Sequence, residues 1–347
     1  MSRVSVKAVH DLGQSILNKL AKKPLGTLIT HRGEDPWVIY WQGHYYYCHD
    51  RDDRQIVMHK ASKLENVGKQ PKVVWNDPLC TPEAELWAPE LHRLENKWYI
   101  YFTTGKDEKH RMYALQSTSD DPMGPYEMKG KITDPSDQWA IDGTILYLND
   151  KYYFVWSGWE SVSDKTQNIY IAPMRNPWTI SGDRVCISRP EYDWEKVGAP
   201  VWPHINEGPQ ALEKNGHIFI IYSASHSLTD SYCLGQLELV GADPMLPKSW
   251  VKEPQPVFSK NGTIYGPGHA SFIEKPDGTD WIIYHSTAES GINADVNIWD
   301  SRVVRAQRFS WNKDGSPDFG KPRALKEVKI LDRFKSQTQK LTRISFG

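Results

Sequence analysis

Three carboxylic acids and one histidine stand at matching places along this sequence. Each lies eight residues before a turn signal, and the four pairs are Asp35 with Gly43, Asp142 with Asp150, Glu207 with Asn215, and His269 with Asp277. Carboxyl groups brought to one partly desolvated site push their pKa values apart, so one stays protonated while another is ionised. A proton donor facing a base or nucleophile is what the cleavage of a glycosidic bond requires.

The residue types indicate how the acids divide these roles. Glu207 is one methylene longer than an aspartate and can reach a bridging oxygen, which suits a proton donor. Asp35 is short and precedes Pro36, which suits a base that holds a water molecule. An acid before Gly or Pro often only starts a turn through its own hydrogen bonds. The shared register argues against that interpretation for the set. The cluster Asp50 to Arg54 is interpreted as a solvated loop.

The elements that must position these residues form a repeat. A fifth position, Ala88, also stands eight residues before a turn residue, Asn96. Each turn leads into an aromatic-rich strand, and these strands are 44–48, 98–102, 152–156, 217–222 and 281–285. The marked positions are 53, 54, 65 and 62 residues apart, a period typical of propellers or solenoids. Five four-stranded units close into a ring without unpaired edges. We therefore predict an all-β fold, a five-bladed β-propeller, with the marked residues at one mouth of its channel.

Aromatic side chains are the outlier of the composition, with 15 Trp and 17 Tyr. Many must pack between sheets. Four tryptophans fall near the marked positions, where flat apolar rings suit the C–H face of a sugar. The predicted substrate contacts are therefore Trp37, Trp87, Trp139 and Trp202.

The remaining regions carry less information. Residues 11–23 have the spacing of one short amphipathic helix. We divide the chain into an N-terminal segment, residues 1–29, and a propeller catalytic domain, residues 30–347. The stretch after Leu325 is predicted to close or cover the ring.

Composition excludes several classes of partner. The formal net charge is −1, which argues against nucleic acid or an anionic membrane surface as the ligand. No run of about 18 apolar residues is present, so no membrane span is expected. The first residues lack the apolar core of a signal peptide. The expected location is cytoplasmic, or secreted if a leader was removed. No organic cofactor is predicted.

Five short motifs occur in order along the sequence, one in each repeat. They are Asp35-Pro-Trp-Val38, Trp87-Ala-Pro-Glu90, Ile141-Asp-Gly143, Asn206-Glu-Gly-Pro209 and Gly266-Pro-Gly-His269. The sequence resembles glycoside hydrolase family 43 from about residue 30 to about residue 325. Because five motifs occur in order, one in each repeat, the resemblance is specific. It is greatest to the exo-acting α-L-arabinofuranosidases of that family.

The resemblance implies a five-bladed β-propeller and an inverting mechanism. Asp35 would be the general base and Glu207 the general acid, while Asp142 would tune the pKa of the acid and orient the substrate. Arg302 matches an arginine that reaches the sugar pocket in relatives. His269 matches a histidine that holds a calcium or sodium ion with waters in the central channel. One departure is Asp142-Gly143, where many members carry Asp-Pro.

The leading hypothesis is an enzyme that releases terminal α-L-arabinofuranosyl residues from plant cell-wall arabinan or arabinoxylan oligosaccharides. A β-xylosidase of the same family is the second hypothesis. A non-catalytic carbohydrate-binding propeller and a protein scaffold are the third and fourth, and three mutually repelling acids argue against both. The sequence leaves open linkage preference, arabinose versus xylose specificity, exo versus endo action, and oligomeric state.

Overall fold

Five small antiparallel sheets follow one another along the chain. The structure, a computed structural model, describes residues 26–79, 83–200, 202–262, 264–287 and 301–323. The helix predicted over residues 11–23 and the stretch after Leu325 lie outside these residues. No helix in the described ranges is long and apolar enough to cross a membrane.

Strands make up most of the described chain. In order they are β1 (Thr27–Thr30), β2 (Trp37–Trp41), β3 (His44–Arg51), β4 (Gln55–Ala61), β5 (Lys72–Asn76), β6 (Glu85–Leu94), β7 (Lys97–Gly105), β8 (Arg111–Ser117), β9 (Tyr126–Ile132), β10 (Ala140–Leu148), β11 (Lys151–Ser161), β12 (Asp164–Asn176), β13 (Thr179–Ile180), β14 (Val185–Ser188), β15 (Val197–Pro200), β16 (Asn206–Lys214), β17 (His217–Ala224), β18 (Cys233–Leu239), β19 (Trp250–Lys252), β20 (Tyr265–Glu274), β21 (Asp280–Thr287), β22 (Val303–Arg308), β23 (Ser310–Trp311) and β24 (Pro317–Asp318). Four one-turn 3-10 helices are described: Leu64–Asn66, Asp107–Lys109, Asp193–Glu195 and Pro247–Ser249.

The sheets are the blades of a ring. Blades one to four have the orders β2-β3-β4-β5, β6-β7-β8-β9, β10-β11-β12-β13 and β16-β17-β18-β19, and β14 also pairs with β12. Blade five has the order β20-β21-β22-β1. The first strands of the blades touch in sequence, and β2 contacts β20. The predicted five-bladed β-propeller is thus confirmed.

The first described strand closes the ring. Strand β1 pairs with β22 through Thr27 opposite Ala306 and becomes the outer strand of blade five. A sheet that joins a strand from before the first repeat to the strands of the last repeat leaves no open edge between these repeats. Strand β1 begins three residues before the boundary placed at residue 30 from the sequence, and the domain division itself stays a prediction.

The core lies between the blades rather than within any one of them. The aromatic-rich strands of the repeat are β3, β7, β11, β17 and β21, the second strand of each blade. Their side chains fill five buried clusters, one between each pair of neighbouring blades. In one of them Tyr46 of blade one packs with Leu91 and Trp98 of blade two. Each blade therefore depends on its neighbours for burial of its apolar faces.

A residue with positive φ lies near the beginning of the first strand of each blade, just before the strand in blade one and within it in the other four. These residues are Asp35 (42°), Ala88 (45°), Asp142 (56°), Gly208 (54°) and His269 (46°). In blades two to five the strand pairing shifts register at this residue, as at a β-bulge. A bulge of this kind bends the strand that contains it.

The register predicted for Glu207 is wrong by one residue. Gly208, not Glu207, matches Asp35 and Asp142, while Glu207 matches Trp87 in the neighbouring position. The cause is the turn, since in blade four Asn215 is the first of its two residues. In blades one to three the residue used for the count is the second.

Candidate active site

A cavity of about 920 Å³ opens where the first strands of the blades begin. Five strand beginnings converge there because the ring brings equivalent positions of every repeat to one mouth. Seven of the residues predicted from the sequence line this cavity: Asp35, Trp87, Trp139, Asp142, Glu207, His269 and Arg302.

Asp35 is held as a carboxylate by His269. The Oδ1 of Asp35 lies 3.0 Å from His269 Nδ1 and 3.4 Å from His285 Nδ1. Burial acts to raise the pKa of Asp35, but the charge and hydrogen bond of His269 hold that pKa well below its usual range. Burial likewise acts to lower the pKa of His269, and the charges of Asp35 and Asp142 raise it to about 10. Asp35 and His269 thus form an ion pair.

Asp142 and Glu207 form a second buried pair beside it. The backbone N–H of Gly208, next to Glu207, donates to Asp142 Oδ2 at 3.0 Å. Burial raises the pKa of Asp142 to about 8, and the charge of Glu207 adds to this increase against the opposing charge of His269. Burial also raises the pKa of Glu207, although the hydroxyl of Tyr232 opposes the increase. Near neutral pH this pair therefore keeps a proton that can be given to a leaving group.

Arg302 interacts with two glutamates of the cavity, Glu34 and Glu207. Its Nη1 donates to Glu34 Oε2 at 2.6 Å and its Nη2 to the carbonyl of Ser227 at 3.0 Å. Only 3% of this side chain is exposed, and its charge acts to lower the pKa of Glu207. Sequence reasoning missed Glu34, which stands directly before Asp35 as Glu207 stands directly before Gly208.

Two of the four predicted tryptophans form an apolar wall of the cavity. Trp87 stacks on His110 with ring centres 3.9 Å apart, and Trp139 stacks on Trp159 at 4.7 Å. These two stacks meet through an edge contact between His110 and Trp139. The wall offers flat rings beside the acids.

The structure does not bring the other two tryptophans into the cavity lining. Trp37 packs against His92 at 4.6 Å, and its indole N–H donates to Leu91 O at 2.7 Å. It belongs to the core between blades one and two, so it is not placed to touch a sugar, contrary to the prediction. Trp202 is 39% exposed and stacks on His226, which does line the cavity, at 4.4 Å. Trp202 therefore stands one layer behind the lining.

Four acidic residues that the sequence does not mark as site residues also line the cavity. They are Asp50, Asp52, Asp53 and Glu85. Asp52, Asp53 and Arg54 form the exposed turn that was predicted, whereas Asp50 lies inside strand β3, and burial raises its pKa well above its usual range. No local pattern distinguishes such a cluster from an ordinary surface turn, because its exposure depends on the neighbouring blades.

The predicted central cation finds few protein ligands. In the described ranges no group of three or more His, Cys, Asp or Glu side chains is placed to hold a metal ion. His269 Nδ1 already contacts Asp35, and the raised pKa keeps on His269 the proton that a metal ion would have to displace. The residues do not form a cage for calcium or sodium, and that ion stays a prediction.

Comparison with known proteins shows the family to which this chain belongs. The family model described as "Glycosyl hydrolases family 43" matches residues 26–317. "Alpha-L-arabinofuranosidase 43" of Humicola insolens is 34% identical over 313 residues, which cover 86% of this chain and 63% of the relative. "Extracellular exo-alpha-(1->5)-L-arabinofuranosidase" of Streptomyces avermitilis is 36% identical over 311 residues, which cover 85% of this chain and 63% of that relative. The chain thus spans less than two thirds of the length of both.

A solved structure is similar over nearly its whole length. The crystal structure of an α-L-arabinofuranosidase from Lactobacillus brevis matches with a TM-score of 0.77 and 34% identity. The match covers 85% of this chain and 97% of that one.

Proposed function

Because this chain belongs to glycosyl hydrolase family 43, we propose that it is an inverting glycosidase that releases terminal α-L-arabinofuranosyl residues. The substrates would be oligosaccharides derived from plant cell-wall arabinan or arabinoxylan. One observation carries the proposal: Asp35, Asp142 and Glu207 come from three different blades and line one cavity. The names of the relatives support arabinose over xylose, and the Streptomyces avermitilis name supports exo action.

The protonation states support the proposed roles. Asp35 is partly buried yet ionised, so it can take a proton from a water that attacks the anomeric carbon. Glu207, whose pKa is raised by burial, can give its proton to the oxygen of the leaving sugar. Asp142 accepts a hydrogen bond from the backbone N–H of Gly208, next to Glu207, and the charge of Glu207 raises the pKa of Asp142. A single displacement of this kind inverts the anomeric carbon, and it needs carboxyl groups roughly 6.5–9.5 Å apart.

A substrate panel tests the proposal. The panel contains an aryl α-L-arabinofuranoside, an aryl β-D-xyloside and linear arabinan, with Asp35→Asn as the inactive variant. Asp150→Asn, at the exposed far end of the hairpin that carries Asp142, is the matched control and should behave as wild type. We expect hydrolysis of the arabinofuranoside and release of single arabinose units from arabinan. Preference for the xyloside would indicate a β-xylosidase, and hydrolysis of none would indicate a carbohydrate-binding propeller.

The location of the protein needs its own test. The predicted cytoplasmic location implies that arabinan fragments enter the cell before hydrolysis, whereas the Streptomyces avermitilis relative is named as extracellular. Measuring the activity in washed cells and in the medium of the native host decides between the two.

A further inference from the structure

Two buried rings stand behind the base and the acid. Tyr232 and His285 are each 1% exposed, and their rings stack almost in parallel with centres 5.6 Å apart. The hydroxyl of Tyr232 donates to Glu207 Oε1 at 2.8 Å. On the other side, the backbone N–H of Asp35 donates to His285 Nδ1 at 3.2 Å. One stacked pair thus touches both catalytic acids, one through its side chain and the other through its backbone.

The packing around the pair leaves the rings little freedom. In blade five, Gly268 of strand β20 is paired with His285 of strand β21. A Cβ atom on Gly268 would come within 2.2 Å of the Tyr232 ring. The ring of Tyr232 therefore lies directly on the backbone of strand β20, where only glycine leaves room for it. Such close contact fixes the direction in which the hydroxyl points.

The hydrogen bonds also determine the form of His285. Its Nδ1 accepts the hydrogen bond of the Asp35 backbone N–H, which places the proton of the ring on Nε2, and burial lowers the pKa of His285 to about 3, so the ring is neutral. Asp35 has a φ of 42°, a conformation uncommon for residues other than glycine. The acceptor on His285 stabilises this conformation and so sets the direction of the Asp35 carboxylate.

We propose that Tyr232 and His285 are positioning residues, Tyr232 for the acid Glu207 and His285 for the base Asp35. This inference rests on the proposed glycosidase function. Proton donation to the leaving group thus depends on Tyr232, and activation of water depends on His285, although the two rings pack together. The separation predicts different kinetic signatures, because only the acid depends on how badly the leaving group needs a proton.

The test of Tyr232 compares two leaving groups. Tyr232→Phe, which removes one oxygen atom, should lower kcat/KM for an arabino-oligosaccharide by about 10- to 100-fold, since misplacement of a catalytic group costs up to about 10²-fold. The loss on a dinitrophenyl α-L-arabinofuranoside should stay below about 3-fold, because its leaving group needs no proton. Unfolded protein would lower both rates by the same factor, so the ratio of the two losses is independent of folding. Equal losses would overturn the role of Tyr232.

The test of His285 compares two amides. His285→Asn places its side-chain oxygen where Nδ1 stands, whereas His285→Gln places it nearer to Nε2. With rates divided by the folded fraction, the Asn variant should keep kcat within about 5-fold of wild type, and the Gln variant should lose at least about 10-fold. The loss should be equal on both leaving groups. Asn and Gln variants of equal activity would refute the role of His285.

A matched control separates this inference from the proposed function. Tyr101 is a buried tyrosine whose hydroxyl donates to Pro177 O, and it does not line the cavity. Tyr101→Phe should show the same loss, if any, on both substrates. A wild-type protein that cleaves neither arabinofuranoside would defeat the proposed function and the inference with it. Wild-type activity with equal losses in Tyr232→Phe would defeat the inference alone.

Discussion

Replacing Asp142 by Asn should make the protein more stable near neutral pH. Asp142 is 4% exposed, and burial raises its pKa to about 8, whereas an unfolded aspartate titrates near 3.9. Between these values the native carboxyl keeps its proton and the unfolded one releases it, which favours unfolding. At pH 7 this penalty is about 4 kcal/mol, at about 1.36 kcal/mol per pH unit. Asn is neutral and keeps an oxygen to accept the N–H of Gly208.

Urea unfolding at several pH values measures this effect. The penalty is absent below about pH 3.9, where both states are protonated, and grows until the native pKa of about 8. The free energy of unfolding of Asp142→Asn should therefore equal that of wild type at pH 4 and exceed it by up to about 4 kcal/mol at pH 7. Asp150→Asn is the exposed control. A difference that stays constant with pH would refute the reasoning.

The same substitution should impair catalysis in a defined direction. Once Asp142 ionises, near its pKa of about 8, its charge and that of Glu207 repel each other, so a neutral Asn at this position removes an interaction that keeps the proton on Glu207 to higher pH. Glu207 then loses its proton at lower pH, and the basic limb of the kcat/KM profile moves to lower pH. An arabino-oligosaccharide is the substrate for this measurement, because it needs the proton. A basic limb at its wild-type position would contradict the role of Asp142 as a modulator.

Three further predictions concern the other residues of the site. Glu207→Ala should reduce kcat/KM for arabino-oligosaccharides by about 10²–10⁴-fold and spare a dinitrophenyl arabinofuranoside; equal loss on both would argue against an acid role. His269→Ala removes the cation paired with Asp35, so the acidic limb of kcat/KM should move to higher pH, and assays with and without chelator test the predicted ion. A variant like wild type in both assays would disprove both expectations. Proton NMR should show β-L-arabinofuranose as the first product from an α-linked substrate, and first release of the α anomer would exclude inversion.

The architecture was predictable because its cause is local and repeated. A short turn, of two residues in blades one to four and longer in blade five, leads into each aromatic strand, and five such units account for the blades. The same counting failed by one residue at Glu207, because the turn at Asn215 and Gly216 was counted from its first residue. A sequence period places a strand, but the residue at which the strand bends depends on how the bulge pairs with its neighbour.

The parts of the site that sequence reasoning missed depend on contacts between distant residues. Trp37 stands two residues after Asp35, the proposed base, yet its ring turns into the core between blades one and two. Asp50 looks like a surface charge, yet the closed ring places it in the cavity wall. Tyr232 carries no mark in the sequence, since its role follows from a hydrogen bond to a residue 25 positions away. Only the packed ring establishes these relations.

The offset of Glu207 explains how one repeated unit supplies two kinds of acid. At the positive-φ position the blades present Asp35, Asp142 and His269, which lie close enough to pair by charge. The position just before it presents Glu34 and Glu207, both of which interact with Arg302.

A base that must stay ionised belongs beside a cation, and Asp35 has His269. An acid that must keep its proton belongs in a more weakly compensated place, and Glu207 accepts a hydrogen bond from the neutral hydroxyl of Tyr232. The bulge separates these two environments by one residue, so the backbone of the blade accounts for the proposed division of roles between Asp35 and Glu207.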